Sequence, residues 1–123
     1  MAKARLKAKT KATSNHERLL ASVEATYVLA ERGFDRLYAA ASTEAEKQQV
    51  RDLYGAARDA YWKAVVAVLE DDSTVVSAIH EELRQRNRDL KASLEGLKDV
   101  ARTLALLTEA VRLAASLVTL GAA

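Results

Sequence analysis

Two histidines, His16 and His80, are the side chains of this 123-residue chain best suited to acid–base or metal chemistry near neutral pH. Neither has the company that such chemistry needs. No His-Glu-x-x-His sequence occurs, and no Glu-x-x-His pair supplies a di-iron carboxylate site. With no cysteine there is no thiolate nucleophile and no Cys-based zinc site. Carboxylates come as adjacent pairs, Asp71-Asp72 and Glu81-Glu82, and adjacent helical positions point about 100° apart, which does not make an acid/base dyad. Near a helix start such acids instead complement the positive end of the dipole. The four glycines stand isolated at 33, 55, 96 and 121, so no phosphate-cradling loop is present, and nucleophilic-serine signatures are absent. The expectation is a protein with no catalytic residue, no metal site and no cofactor.

Basic residues offer binding rather than catalysis. Lys3, Arg5, Lys7, Lys9 and Lys11 place +5 in the first eleven residues with no acid among them. The other 14 basic residues face 17 acidic ones, so the rest of the chain carries −3 and the overall +2 belongs to its start. These five side chains are candidate contacts for an anionic partner, a membrane surface ahead of a nucleic acid. Residues 1–13 read as a flexible basic arm and 14–123 as the folded domain. No apolar run follows the basic start, so no secretory signal is expected and a cytoplasmic location is the default. A second cluster, Arg84, Arg86 and Arg88, is interleaved with Glu81, Glu82 and Asp89. Spacings such as Glu81–Gln85 and Glu82–Arg86 predict a self-compensated, solvated helix face.

The elements that must position these groups are helical. Proline is absent, half the residues are hydrophobic and 29% are charged, which excludes a disordered or bilayer-embedded chain, and the lack of cysteine excludes a disulfide scaffold. Ser14-Asn15-His16-Glu17 has the form of a capping box. After it Leu20, Val23, Tyr27, Ala30, Phe34, Leu37 and Ala41 alternate at spacings of three and four, predicting a helix over about 15–41 with Gly33 off its seam. Thr43-Glu44-Ala45-Glu46 is a second capping box, opening a helix over about 44–70 that buries Val50, Leu53, Tyr54, Ala57, Tyr61, Ala64, Val65 and Val68. One turn between them makes an antiparallel hairpin. All six aromatic residues lie in these two helices and should line one contact.

Asp72 or Ser73 can cap a third helix. Val76, Leu83, Leu90, Leu97, Leu104, Val111 and Val118 then recur every seven residues, alternating with His80, Asn87, Leu94, Ala101, Thr108 and Ala115. Because the phase passes through Gly96 unbroken, the favoured expectation is one continuous helix over about 73–120, roughly 72 Å long. The alternative breaks the chain at Gly96, with the glycine as a left-handed cap and Leu97 in hydrophobic contact, giving a four-helix bundle. Either way the fold class is all-α, an antiparallel helical bundle with a helical hairpin and a long C-terminal helix.

A continuous third helix would overhang the hairpin and need a partner. Leu83, Asn87, Leu90, Leu97, Leu104, Leu107, Val111 and Val118 are accordingly the candidate self-association or protein-partner interface, with Asn87 setting register. The expected function is non-enzymatic protein–protein association or assembly through the C-terminal helix. The alternative is membrane association through the apolar stretch 97–120 and the basic arm. Glu109 and Arg112 near the middle of that stretch oppose spontaneous single-span insertion.

Overall fold

A computed structural model describes residues 2–71 and 73–122, with side chains from Asn15 onward. It is all-α, with α1 (Ala2–Ala40), α2 (Glu44–Val66), α3 (Thr74–Gly96) and α4 (Val100–Gly121) in chain order. Successive helices run in opposite directions, so one end of the bundle gathers the α1–α2 and α3–α4 turns and the other gathers the α2–α3 connection. Every pair of helices is in contact except α2 and α3, which therefore lie diagonally opposite although consecutive in sequence.

Helix α1 starts well before the expected cap. Residues 2–13 are mostly Ala, Lys and Arg with no Gly or Pro, and such strong helix formers carry the helix upstream past Ser14. Ser14 and Glu17 are interior residues of α1, and the boundary expected between residues 13 and 14 falls inside a helix. The side chains of Lys3, Arg5, Lys7, Lys9 and Lys11 lie outside the described residues.

The second capping box forms as expected. Thr43 accepts the Glu46 N–H at 3.1 Å, and the Glu46 carboxylate reaches back to the Ser42 N–H (3.0 Å) and hydroxyl (2.8 Å). Those bonds from Ser42 hold the Glu46 carboxyl below its ordinary range. The six aromatic rings form one chain along the hairpin, in the order Tyr38, Phe34, Tyr54, Tyr27, Tyr61, Trp62, with successive centroids 5.2–6.0 Å apart.

The continuous third helix is overturned. Helix α3 ends at Gly96, Leu97 adopts a left-handed conformation (φ 40°, ψ 51°) with its N–H on Ser93 O, and Asp99 caps α4 by accepting the Arg102 N–H at 3.0 Å. The glycine is not the left-handed residue; its neighbour is. The seven-residue repeat survives the turn because α4 is apolar around much of its circumference, so almost any phase meets an aliphatic residue. The alternate positions expose the break. His80, Asn87 and Leu94 are buried in α3, whereas Ala101, Thr108 and Ala115 of α4 face outward and Leu107, Ala110, Ala114 and Leu117 are buried instead.

Helix α2 also stops short of its expected end. From Val66 the chain leaves the helix and crosses the bundle end as an extended strap. Leu69 is buried there, its N–H donates to His16 Nδ1 of α1 at 3.0 Å, and the Glu70 N–H donates to Gly121 O of α4 at 2.9 Å. A bridge pairs Leu69 with Ala122. The strap thus runs over α1 at His16 and over the end of α4, as a diagonal crossing requires, and Ser73 then caps α3 by accepting the Val76 N–H at 3.1 Å.

Candidate interaction surface

The expected interface residues lie inside the chain's own core. Leu83 and Leu90 are fully buried, Leu104, Leu107, Val111 and Val118 are buried, and Leu97 is partly buried against the same core. Turning the chain at Leu97 folds the apolar half of the repeat back onto α3, so a partner subunit is not what covers it. Asn87 sets register within the chain: its Oδ1 accepts from Thr26 Oγ1 at 2.7 Å and its Nδ2 donates to Ser22 O at 3.0 Å. Two turns toward the strap, His80 Nε2 meets Ser22 Oγ at 2.8 Å. These four residues make a buried polar seam between α1 and α3. Burial pushes the His80 imidazole below its usual value near 6.5, opposed by Asp71 and aided by Arg18.

The basic cluster on α3 is compensated, with partners three residues away rather than four. Arg84 pairs with Glu81 (3.6 Å) and Arg86 with Asp89 (2.9 Å), while Arg88 donates to Gln85 (2.7 Å). Arg86 also lies 3.3 Å from Glu109, tying the charge inside apolar α4 to α3. The Glu109 carboxylate raises the Arg86 pKa, so this guanidinium stays charged. An open groove of about 440 Å³ beside the α3–α4 turn is lined by side chains of both signs, among them Asp89, Lys98, Asp99 and Arg102. Among the described residues no group of three or more His, Cys, Asp or Glu side chains could hold a metal ion.

What stands out is an apolar surface that periodicity does not flag. Among the described residues six large hydrophobic side chains are exposed: Trp62, Val65, Val66, Val68, Val75 and Leu120. They occupy the last turns of α2, the strap, the first turn of α3 and the last turn of α4, which all meet at the strap end of the bundle. Val66 and Val68 are the most open, at 84% and 66%. The helical pattern puts Val65 and Val68 on the buried face of α2. Val65, still in α2, lies one residue off the face that buries Ala57, Ala60 and Ala64, and Val68 is outward because α2 gives way to an extended strap that turns Leu69 inward. The signal that could have revealed this is the run Val65-Val66-Ala67-Val68-Leu69, which holds no polar residue, has no helical period and is rich in β-branched side chains.

The opposite end carries no exposed large hydrophobic side chain among the described residues. It is built from Ser42, Thr43, Gly96, Lys98 and Asp99. Helix α4 is long and apolar enough to cross a membrane by length and composition, yet here it serves as a core helix with Leu104, Leu107, Leu113 and Leu117 buried. No family model matches the chain, and neither a curated protein nor a solved structure shows significant similarity to it.

Proposed function

We propose that this chain is a non-catalytic helical assembly protein that binds protein through the strap end of its bundle. The observation that carries the reading is the gathering at that one end of the six large hydrophobic side chains exposed among the described residues. Scattered surface apolar residues need no explanation, but their concentration at one end of the molecule, a tryptophan among them, marks an interaction site. The C-terminal helix contributes Leu120 to this face and otherwise supplies the core that holds the face in shape. A cytoplasmic location goes with the reading.

Photocrosslinking in cells tests it. A benzophenone side chain at Val66 should give protease-sensitive adducts that the same group at Lys98, on the polar end, does not. Adducts of equal yield from both positions, or none from Val66, would overturn the assignment. A second reading, docking on a membrane surface, is favoured by the presence of Trp62 and the basic start of α1 at the same end. It predicts lipid rather than protein adducts from Val66 and flotation with anionic vesicles.

A further inference from the structure

We infer that the aromatic run Trp62, Tyr61, Tyr27, Tyr54 is a one-electron relay, in which an oxidising equivalent delivered to Trp62 by a dissolved radical oxidant moves inward and rests on Tyr27, with Glu31 taking the phenol proton. The inference goes beyond the binding role and is independent of what the strap end binds.

Three observations meet here. Trp62 is the one exposed ring of the six, at 53%, while Tyr27, Phe34, Tyr38, Tyr54 and Tyr61 are half-buried. From Trp62 the oxidisable rings continue without a gap. Tyr61 follows at 5.5 Å between centroids, Tyr27 is stacked on Tyr61 at 5.2 Å and 16°, and Tyr54 lies 6.0 Å from Tyr27. The next ring, Phe34, has no hydroxyl or indole nitrogen and is far harder to oxidise. Standing 5.5 Å from Tyr54 and 5.7 Å from Tyr38, it closes the run at Tyr54 and sets Tyr38 apart. Finally, Tyr27 has company for its proton. Tyr54 and then Glu31, one turn along α1, hold that proton and push the phenol up to about 12. Glu31 itself opens to solvent.

These features give the run a direction. The exposed indole is the first ring a dissolved oxidant meets. Near neutral pH an indolyl radical draws an electron from a phenol, so the hole passes from Trp62 to tyrosine rather than back. An oxidised phenol is a strong acid and keeps the hole only by shedding its proton, which favours the tyrosine that has a carboxylate beside it. The steps balance. A radical oxidant takes one electron from Trp62, and the Nε1 proton goes to water. An electron then passes from Tyr27 through the stacked Tyr61 ring to the indolyl radical, which recovers a proton from water at Nε1. The Tyr27 O–H bond breaks, its proton moves to the Glu31 carboxylate, and a phenoxyl radical remains. In sum the oxidant gains one electron, Tyr27 loses one electron and one proton, and the indole at the strap end is restored.

Pulse radiolysis tests this, with azide radical as the oxidant and the full chain as the target. The expected result is an indolyl absorption band that decays as the phenoxyl band grows, at a rate independent of protein concentration. Tyr61→Phe keeps a ring in the stack but removes the stepping stone, and should abolish the fast conversion. Tyr38→Phe, beyond Phe34, should leave it unchanged. Tyr27→Phe and Glu31→Gln should each slow it severalfold, and the double variant should be no slower than either alone, as residues acting in one step require. Circular dichroism melts establish that each variant is folded.

An indolyl radical that persists in the unaltered chain would overturn the inference. So would a conversion rate proportional to protein concentration, which marks collision between molecules, or one unchanged by Tyr61→Phe. Equal slowing by Tyr38→Phe and Tyr61→Phe would show that the order of the rings is immaterial and would sink the relay. Unaltered rates in both Tyr27→Phe and Glu31→Gln would remove Tyr27 as the resting place and overturn the proposal as stated.

Discussion

His80 shows how a residue type that suggests chemistry can be committed to packing. The residue is 6% exposed and hydrogen-bonded to Ser22, one rung of the polar seam that Thr26 and Asn87 complete. Because burial lowers its folded-state pKa, the unfolded chain takes up a proton first as pH falls. The stability His80 contributes is therefore complete above about pH 6.5 and is lost as pH falls below that value through the lowered one. Thermal melts between pH 7.5 and 5 should show this loss, and His80→Asn should flatten it; an equal slope in the variant would refute the assignment. The glycines divide as sharply. A Cβ at Gly33 would stand 2.7 Å from Leu94 Cδ2, whereas at Gly55 it would meet nothing within 4 Å. Gly33→Ala should cost about 1–3 kcal/mol by overpacking, and Gly55→Ala should add roughly 0.5–1 kcal/mol by restraining the unfolded chain. Denaturant titrations of the two variants, shifting in opposite directions, would check both. Periodicity places Gly33 off the seam because it marks which face is buried, not where a neighbouring leucine needs room.

At the scale of elements, the turn of the α1–α2 hairpin was legible, the start of α1 and the end of α2 were not, and the end of α3 at Gly96 was legible only as the alternative. Capping residues at Thr43 and Ser73 and the aromatic hairpin follow from local chemistry, and local chemistry is what a sequence carries openly. The end of α3 follows from a left-handed conformation that Leu97 adopts under tertiary packing, against the steric preference of a residue with a Cβ. Gly96 signalled the break one residue before the one that turns, and Asp99 was in place as an N-cap for α4. Asp99→Ala should remove that cap and cost about 1 kcal/mol, visible as a lower denaturation midpoint. Leu104 lies 3% exposed within the private core, so Leu104→Asp should unfold the monomer, at about 4 kcal/mol or more, rather than merely dissociate an assembly. A folded monomeric Leu104→Asp chain would contradict this placement. The candidate interface went the same way: a repeat whose apolar length called for a partner finds one within its own chain.

For the whole molecule, the diagonal step from α2 to α3 governs everything else. It draws the strap across α1 at His16 and across the end of α4, plugs Leu69 between them, and leaves valines outside with acids beside them. No local pattern encodes a diagonal crossing, so the crossing could not be read in advance, and the run Val65-Val66-Ala67-Val68-Leu69 was the one local trace of the exposed valines on it. His16 holds the strap down, and His16→Ala should leave the Leu69 N–H without its partner at a cost of about 1–3 kcal/mol. Amide exchange at Leu69 should quicken in that variant more than at Val50, which is buried in the distant half of α2.

The chain of rings along α1 and α2 ends on Trp62, at the edge of the apolar patch. Tyrosine emission overlaps tryptophan absorption, and centroid steps of 5.2–6.0 Å lie far inside the range of resonance transfer. Light absorbed anywhere on the hairpin therefore drains to a single emitter at the strap end. The protein carries its own optical antenna: excitation of the tyrosines reports whether the hairpin is assembled, and the colour of the emitted light reports whether its tip is covered.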